Sequence, residues 1–462
     1  MGTTRLDTTL AHGKSTMGAW TIGLLVLQAV IAGVSIVDPW AAVALIAAIA
    51  IAVIAIERPL VGLGLLIAVR LLSTGATVFF RVGRAGIGPY EPLLLLCVLG
   101  LAVSTTFHRT PLFPLWAWRT PFLLLLAWMA LSLAWSSDPR DGLSEILPML
   151  IVWASITLVL TFVRSWEDLR AMLLVWLAAS VLIAILALLA GQHVLPTGLS
   201  FEAAARGGRE TGLGQQPNWF AMNLMFVIPT AVGLAIGARS VFAKLALLLS
   251  GAIVLFAMLS SGSRGAVVAC VVAAILPALA HARFRRWAWR AGVASLLFAA
   301  VALRYDVGGS ANALARIVST TAIQQHYRPQ NWWACWEMAR DSIGLGIGAG
   351  GYGVELARHN AKLASTIYDY PHGIAWGILA HEGIVGLVLF AWLVAAIARM
   401  AIRTARRAAG TEVEVIAWTM PAAMAGYLAW SFVEFSLWDK PFWEWAALTT
   451  ALSAIVERRS RA

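Results

Sequence analysis

VFAKLALLLSGAIVLFAMLSSGSRGAVVACVVAAILPALA, residues 241–280, contains two long apolar runs that are separated by a short polar turn. Lys244 and Arg264 are the only charged residues in this stretch. Each run is about as long as the roughly 17 to 25 residues that a helix needs to cross the hydrocarbon core of a bilayer. The stretch therefore predicts two consecutive membrane-spanning helices, with Arg264 at the turn between them.

The whole chain has the composition of a membrane protein. It has 462 residues, of which 60% are hydrophobic and only 12% are charged, whereas soluble domains carry about 25% charged residues. This composition argues against a soluble globule. Because lipid offers no hydrogen-bond partner to an open sheet edge, the apolar runs favour helices over strands. We expect an all-α, polytopic transmembrane helical bundle.

Apolar runs separated by polar breakers predict the spans of this bundle. We expect about twelve to fourteen, because one or two runs are candidates for re-entrant or interfacial segments. The chain then divides into N-terminal transmembrane helices (1–303), a large loop (304–372) and C-terminal transmembrane helices (373–462). The runs lie near residues 17–37, 40–56, 59–77, 89–107, 120–136, 144–163, 169–190, 217–237, 241–260, 265–281, 287–303, 373–398, 413–435 and 441–456.

The distribution of Lys and Arg predicts the orientation of the spans. The net charge is +11, and the strongest arginine clusters are HARFRRWAWR (281–290) and ARMAIRTARR (398–407). The positive-inside rule places both clusters in the cytoplasm. Alternation of the spans also places the C-terminal ERRSRA in the cytoplasm, and we expect both termini there. The segments 191–216 and 304–372 then face the external side, together with the turn at Arg264.

The external loop 304–372 is expected to form short, half-buried helices. RPQNWWACWEMARD, residues 328–341, predicts an amphipathic helix lying against the membrane surface. The residues at helical spacing that support it are Trp332, Trp333, Trp336 and Met338. GLGIGAGGYG, residues 344–353, has the glycine pattern of a dinucleotide-binding loop, but no strand precedes it. We expect a flexible loop that passes near a ligand.

Arginines on the external side need a reason to be there, because the positive-inside rule disfavours them. Arg264 stands where one helix ends and the next begins, so its guanidinium and the helix N-terminal N–H groups can meet at one anion. Arg209 begins RETGLGQQPNWFA, a polar, glycine-rich run that leads into a span. The planar fork of arginine binds two phosphate oxygens at once. The alternative is that external arginines contact lipid phosphates or pair with Glu202, Glu337 or Asp341.

His372 is the candidate for acid–base chemistry. YDYPHGIAWGILAHEG, residues 368–383, places Asp369 and His372 directly before an apolar run. A neutral histidine can take a proton from a hydroxyl near pH 7, and Asp369 either orients the ring or is solvated. The alternative is a packed or capping histidine. His381 lies on a different helix face and is expected to pack. The cysteines and acids show no metal-site spacing, so no metal or other cofactor is expected.

Several blocks of the sequence resemble the O-antigen ligase and O-antigen polymerase superfamily. Their order and spacing follow that superfamily from about Pro89 to the C-terminus. One departure is Gly373, where relatives commonly have Asn after the histidine. The blocks are RETGLGQQPNWFA (209–221), SSGSRGA (260–266), RPQNWWACWEMARDSIGLGIGAGGY (328–352), PHGIAWGILAHEGIVGL (371–387) and VEFSL (433–437), and LAWMALSLAWSSDP (126–139) is similar as well.

The resemblance implies a metal-independent glycosyltransferase of the GT-C type in the bacterial inner membrane, with its active site facing the periplasm. Such enzymes take a glycan from undecaprenyl pyrophosphate and pass it to an acceptor hydroxyl. By position in the blocks, Arg209 and Arg264 resemble the pyrophosphate-binding arginines, and His372 resembles the histidine that activates or positions the acceptor. Further candidates for substrate binding are Arg206, Arg328 and Asn218.

The resemblance leaves the acceptor open. A ligase joins the polysaccharide to lipid A-core, and the Arg- and Trp-rich external loop favours it as a docking surface for a phosphorylated lipid. A polymerase of O-antigen or exopolysaccharide uses a second lipid-linked glycan instead, and a protein O-oligosaccharyltransferase is less favoured. Internal charges such as Arg70 suggest a transporter or flippase, but no inverted repeat supports one. The expected partners are the lipid-linked donor, the acceptor and membrane lipids, without nucleic acid.

Overall fold

The computed structural model describes residues 39–72, 80–82, 85–107, 116–191, 216–305, 317, 327–364, 370–434, 437 and 439–461. In these ranges the chain is a bundle of helices with one short antiparallel hairpin, formed by β1 (Phe80–Val82) and β2 (Ala85–Ile87). The expected all-α polytopic bundle is confirmed. The span predicted at 17–37 lies outside the described residues.

The helices follow one another along the chain and fall into three groups. The N-terminal group is α1 (Pro39–Glu57), α2 (Pro59–Leu72), α3 (Tyr90–Thr106), α4 (Arg119–Ser132), α5 (Pro139–Phe162), α6 (Trp166–Gly191), α7 (Pro217–Met225), α8 (Val227–Gly237), α9 (Val241–Ser260), α10 (Arg264–Ala280) and α11 (Ala282–Arg304). The large loop contributes α12 (Arg328–Asp341), α13 (Tyr352–His359) and α14 (Ala361–Ala364). The C-terminal group is α15 (Ile374–Arg407), α16 (Glu414–Ser431) and α17 (Lys440–Arg461).

Five segments among the described residues are long and apolar enough to cross a membrane by length and composition. They are α5, α6, α7 together with α8, α9, and α15. Shorter apolar helices occur in α1 to α4 and in α10. The spans predicted at 217–237 and 241–260 coincide with described helices, because polar breakers mark both of their ends. These features indicate an integral membrane protein.

Among the described helices, α10 and α16 pack against each other along an extensive contact. Gly426 of α16 allows this approach, because a Cβ at that position would lie 2.5 Å from the backbone oxygen of Ala269 in α10. Small residues serve the same purpose at helix contacts in membranes, where close van der Waals packing replaces the hydrophobic effect. The pairing matters for the site, because it brings the start of α10 beside the end of α16.

Arginines gather at one end of the bundle, which we call the arginine-rich end. There Arg407 of α15 pairs with Glu457 of α17 at 2.9 Å, and Arg459 pairs with Glu412 at 2.8 Å. Arg458 donates to the backbone oxygen of Arg164. The ends of α5, α15 and α17 therefore lie together. His372 precedes the first residue of α15 and so lies at the opposite end of the bundle.

The helix α15 is broken at Gly383, whose φ of 66° and ψ of −162° are not helical. A glycine-rich segment, residues 344–351, fills the break. The N–H groups of Ile347 and Gly348 donate to the oxygens of Ala380 and His381, and the N–H of Ile384 donates to Gly344. The sequence predicted a flexible loop near a ligand, whereas these contacts make the segment a cap for the broken helix.

The helix α12 lies against α15 on the His372 side of the break. The sequence placed its Trp and Met residues together on one membrane-facing surface, and the structure divides them. Met338 is buried against the protein, whereas 60% of Trp333 and 47% of Trp336 are exposed. Trp332 is half-buried beside His372. The Trp and Met residues of α12 therefore pack partly against the protein interior and partly face the outer surface.

Candidate active site

His372 is held between two side chains at the start of α15. Its ring is only 2% exposed. The Nδ1 atom lies 3.1 Å from Oε2 of Glu434, and Nε2 lies 2.8 Å from the hydroxyl of Tyr327. Both ring nitrogens are therefore engaged.

Glu434 follows the end of α16 and binds three elements at once. Its Oε1 accepts from Arg328 of α12 at 2.6 Å and from Asn218 of α7 at 2.8 Å, while Oε2 faces His372. Burial by itself raises the pKa of the Glu434 carboxyl. The hydrogen bond from His372, the charges of His372 and Arg328, and the Asn218 bond outweigh burial and hold this pKa below its ordinary value. Glu434 is thus an ionised carboxylate at neutral pH.

The ionised state of Glu434 decides the proton positions on His372. A carboxylate only accepts hydrogen bonds, so Nδ1 of His372 must carry the proton that lies between them. When the ring is neutral, Nε2 is an acceptor to which the hydroxyl of Tyr327 can donate, and when the ring is protonated Nε2 donates to that hydroxyl instead. Nε2 is thus the ring nitrogen that can take up a proton, and it lies against a hydroxyl group.

Asn331 of α12 fixes the backbone at His372. Its side-chain oxygen accepts from the N–H of His372 at 3.4 Å and from the hydroxyl of Tyr352 at 2.9 Å. Burial raises the pKa of Tyr352 above its ordinary value, so the phenol stays a donor. On the other side, the indole N–H of Trp332 donates to the backbone oxygen of His372. The short helix thus holds both backbone groups of the histidine.

The backbone conformation explains why glycine occupies position 373, which the sequence alone did not explain. Its φ of 135° lies in a region that side-chain-bearing residues rarely adopt. A Cβ at this position would lie 2.8 Å from the backbone oxygen of Phe432 and 3.2 Å from Nε1 of Trp332. The chain therefore requires glycine here to turn into α15 while His372 stays pressed against the end of α16.

Arg264 lies beside the same corner of the bundle. The turn before it uses Gly262 at a φ of 63°, and Ser263 caps α10 by accepting from the N–H of Ala266. A Cβ on Gly265 would lie 3.0 Å from Cδ1 of Trp430 and 3.3 Å from Cγ2 of Val433. The first turn of α10 thus packs one residue away from Glu434. Arg264 and the N-terminus of α10 bring positive charge to the His372 end.

Part of the chain matches a known family. The family model described as O-antigen ligase matches residues 245–391. The match confirms the resemblance to the O-antigen ligase and polymerase superfamily. The matched range contains Arg264, Arg328 and His372, whereas Glu434 and Asn218 come from outside it. A search of curated proteins found no match to the chain.

The structure brings together three of the residues that were predicted from sequence. His372, Arg328 and Asn218 meet at Glu434, and Arg264 lies close to the same corner. Two other groups predicted for the site lie outside the described residues, namely the pair Arg206 and Arg209, and Asp369. The role predicted for each of them stays a prediction.

Sequence reasoning missed Glu434, Tyr327 and Asn331 as members of this cluster. Glu434 carried a signal, because it lies in VEFSL, one of the blocks that resemble the superfamily. Asn331 lies in another block, three residues after Arg328. Tyr327 directly precedes that block. Membership in a shared block was therefore the available sign for Glu434 and Asn331, whereas Tyr327 carried no such sign.

His381 belongs to a different cluster. Its Nδ1 lies 3.0 Å from Oε2 of Glu145 in α5, and its ring stacks on Tyr352 at 5.7 Å between centroids. His372 and His381 thus face different carboxylates. Within the described ranges no group of three or more His, Cys, Asp or Glu residues is placed to hold a metal ion.

Arg70 also has a structural partner. It forms an ion pair with Glu444 of α17 at 2.7 Å, and its guanidinium lies 4.4 Å from the ring centroid of Trp176. Tyr90 donates to the same glutamate at 2.9 Å. A buried charge that is paired and hydrogen-bonded needs no transport role to explain it. This observation weakens the argument for a transporter.

Proposed function

We propose that the protein is an inverting glycosyltransferase that moves a polysaccharide from undecaprenyl pyrophosphate to a hydroxyl group of lipid A-core. The reaction takes place at the His372 end of the bundle, which faces the periplasm if the arginine-rich end is cytoplasmic. The observation that carries the proposal is the basic Nε2 of His372, which is fixed by Glu434 and already bound to a hydroxyl group.

In this proposal the acceptor hydroxyl takes the place of the Tyr327 hydroxyl at Nε2. The acceptor oxygen attacks the anomeric carbon as its proton moves to Nε2 of His372. The bond between the anomeric carbon and the pyrophosphate oxygen breaks on the opposite face, so the configuration inverts. Glu434 stabilises the imidazolium that forms, because its carboxylate is ionised and held by Arg328 and Asn218.

The leaving pyrophosphate carries the electron pair of the broken bond and needs positive charge nearby. Arg264 at the first position of α10 and the positive end of that helix dipole supply it close to Val433 and Glu434. The resemblance adds Arg209 to this role, with Arg206 as a further contact. Loss of one such donor commonly reduces the rate by about 10²- to 10³-fold. No step of the proposed reaction passes through a metal ion.

Aromatic rings beside His372 suit a sugar substrate. Trp332 and Trp376 stack at 6.2 Å between ring centroids with an interplanar angle of 15°, and Phe432 meets Trp332 edge-on at 5.7 Å. Phe432 is 55% exposed, so this aromatic cluster reaches the surface. Sugar rings present apolar C–H faces to which such rings bind by dispersion and burial. The donor glycan is proposed to lie along this cluster.

Reconstitution of the purified protein separates the ligase from its alternatives. Proteoliposomes receive undecaprenyl-pyrophosphate glycan with lipid A-core or with further donor alone, and products are separated by gel and mass. The proposal expects glycan attached to lipid A-core and no growth of donor chains. Chain growth without lipid A-core would reject the ligase in favour of a polymerase that uses the same His372 chemistry. If the donor glycan is not consumed with any acceptor, both the ligase and the polymerase are rejected.

A further inference from the structure

A cavity of about 400 Å³ opens at the arginine-rich end, far from His372. It lies between the second half of α15, the second half of α17 and the residues just before α4. The arginines that line it are Arg399, Arg403 and Arg407. Residues four apart share one helix face, so the three form a column ~12 Å long.

The cavity is cationic. Among the described residues that line it, Glu457 is the single acidic one, and it pairs with Arg407 at 2.9 Å. Arg399 and Arg403 form neither an ion pair nor a hydrogen bond with any residue that the structure describes. Two guanidinium groups therefore face the cavity without a carboxylate to balance them. Such a lining attracts an anion.

The other end of the cavity is apolar. Trp392 and Ala396 line it from α15, and Trp116 lines the cavity from the segment before α4. Trp392 lies seven residues before Arg399 on the same helix, which places it ~10 Å closer to the middle of the bundle. The lining thus changes from aromatic to cationic toward the end of α15. An acyl chain followed by a phosphate headgroup shows the same change, whereas a soluble anion needs only the arginines.

We propose that this cavity binds one anionic phospholipid of the cytoplasmic leaflet. The phosphate lies between Arg399 and Arg403, and an acyl chain lies along Trp392 and Trp116. Basic cavities between membrane helices on the cytoplasmic side suit anionic headgroups, because the leaflet there is rich in negative lipids. The site is separate from the proposed transfer reaction and does not depend on it.

Native mass spectrometry of the full-length protein tests the site. The protein is exchanged into micelles that contain equimolar phosphatidylglycerol and phosphatidylcholine, and the retained lipids are counted. We expect the wild type to retain phosphatidylglycerol in preference to phosphatidylcholine. In Arg399→Gln/Arg403→Gln this preference should fall by at least about fivefold, the factor for one juxtamembrane arginine. Trp392→Ala should weaken retention without changing the charge.

A matched control removes two other arginines from the same end. Arg283 and Arg406 are exposed there and do not line the cavity, so Arg283→Gln/Arg406→Gln should keep the preference within about twofold. The proposal is wrong if the two double variants lose the preference equally, because bulk charge then explains it. It is also wrong if glycerol phosphate displaces the lipid, since the cavity would then bind soluble anions. The proposal is equally wrong if both Arg399→Gln/Arg403→Gln and Trp392→Ala retain phosphatidylglycerol as the wild type does.

Discussion

Two histidines of this protein each contact a glutamate, but the residues around the two pairs differ. His372 and His381 each place Nδ1 within about 3 Å of a glutamate, at 3.1 Å from Glu434 and 3.0 Å from Glu145. The Glu434 cluster adds a cation and an amide, and it holds a hydroxyl at the second ring nitrogen. The Glu145 cluster instead has a second acid beside it, Glu382, with its carboxylate buried.

The comparison shows that a His–Glu pair alone does not identify a base. His372 lies in the turn before α15, and Phe432 next to this turn is exposed, so a substrate can reach its surroundings. His381 lies where the broken helix is capped by the glycine-rich segment, and its ring is stacked on Tyr352. The first pair is placed for chemistry, and the second ties α5 to the break in α15.

Replacement of His372 should have the largest effect on transfer. In His372→Gln the ring nitrogen that accepts the proton is absent, so the transfer rate should fall by about 10²- to 10⁴-fold. The rate is measured in single turnover with donor and acceptor in proteoliposomes. His381→Gln is the matched control and should keep the rate within about tenfold after correction for folded protein. Equal losses in both variants would remove the distinction between the two clusters.

Replacement of Glu434 should come next. Glu434→Gln keeps the shape but cannot stabilise the imidazolium, so we expect a loss of about 10²-fold. The same assay measures it, with Glu145→Gln as the control that removes the carboxylate of the other pair. A Glu434→Gln enzyme as active as Glu145→Gln would contradict the role given to Glu434.

The break in α15 predicts an effect on stability rather than on chemistry. A Cβ on Gly383 would lie 2.1 Å from the oxygen of Gly344, and its φ of 66° is unfavourable for alanine. Gly383→Ala should therefore lower the free energy of unfolding by about 2 kcal/mol or more. Gly292→Ala in α11 is the control, because a Cβ there meets nothing within 4 Å. Thermal unfolding in detergent should show no loss for that variant.

The pH dependence of stability gives the smallest effect. The pKa of Glu434 is lower in the folded protein than its ordinary value, so its stabilising contribution is complete above an unfolded pKa of about 4.3. The contribution is lost as the pH falls through the folded pKa. Melting temperatures of wild type and Glu434→Gln should therefore differ from pH 5 to pH 8 and converge in stronger acid. A difference that grows on acidification would contradict this sign.

The sequence predicted the helices better than their contacts. Apolar runs bounded by polar residues gave the helices near 217–237 and 241–260, because burial in lipid depends on local composition. The break at Gly383 was missed, since the apolar run continues through it and the capping segment lies more than thirty residues earlier.

The site residues were also predicted only where local sequence was informative. His372 could be proposed as a base from its place before an apolar run, and the shared blocks named Arg328 and Asn218 as candidates. Their common partner could not be found locally, because Glu434 is separated from them by 62, 106 and 216 residues. Contacts of that kind depend on how α7, α12 and α16 pack at one corner.

The most direct test of the account is a double-mutant cycle between His372 and Glu434. Single-turnover transfer rates are measured for the wild type, His372→Gln, Glu434→Gln and the double variant in the same proteoliposomes. If Glu434 acts through the imidazole, the double variant should be no slower than His372→Gln alone, because the second change removes nothing further. Rate losses that multiply in the double variant would show that the two residues act independently and would contradict the account.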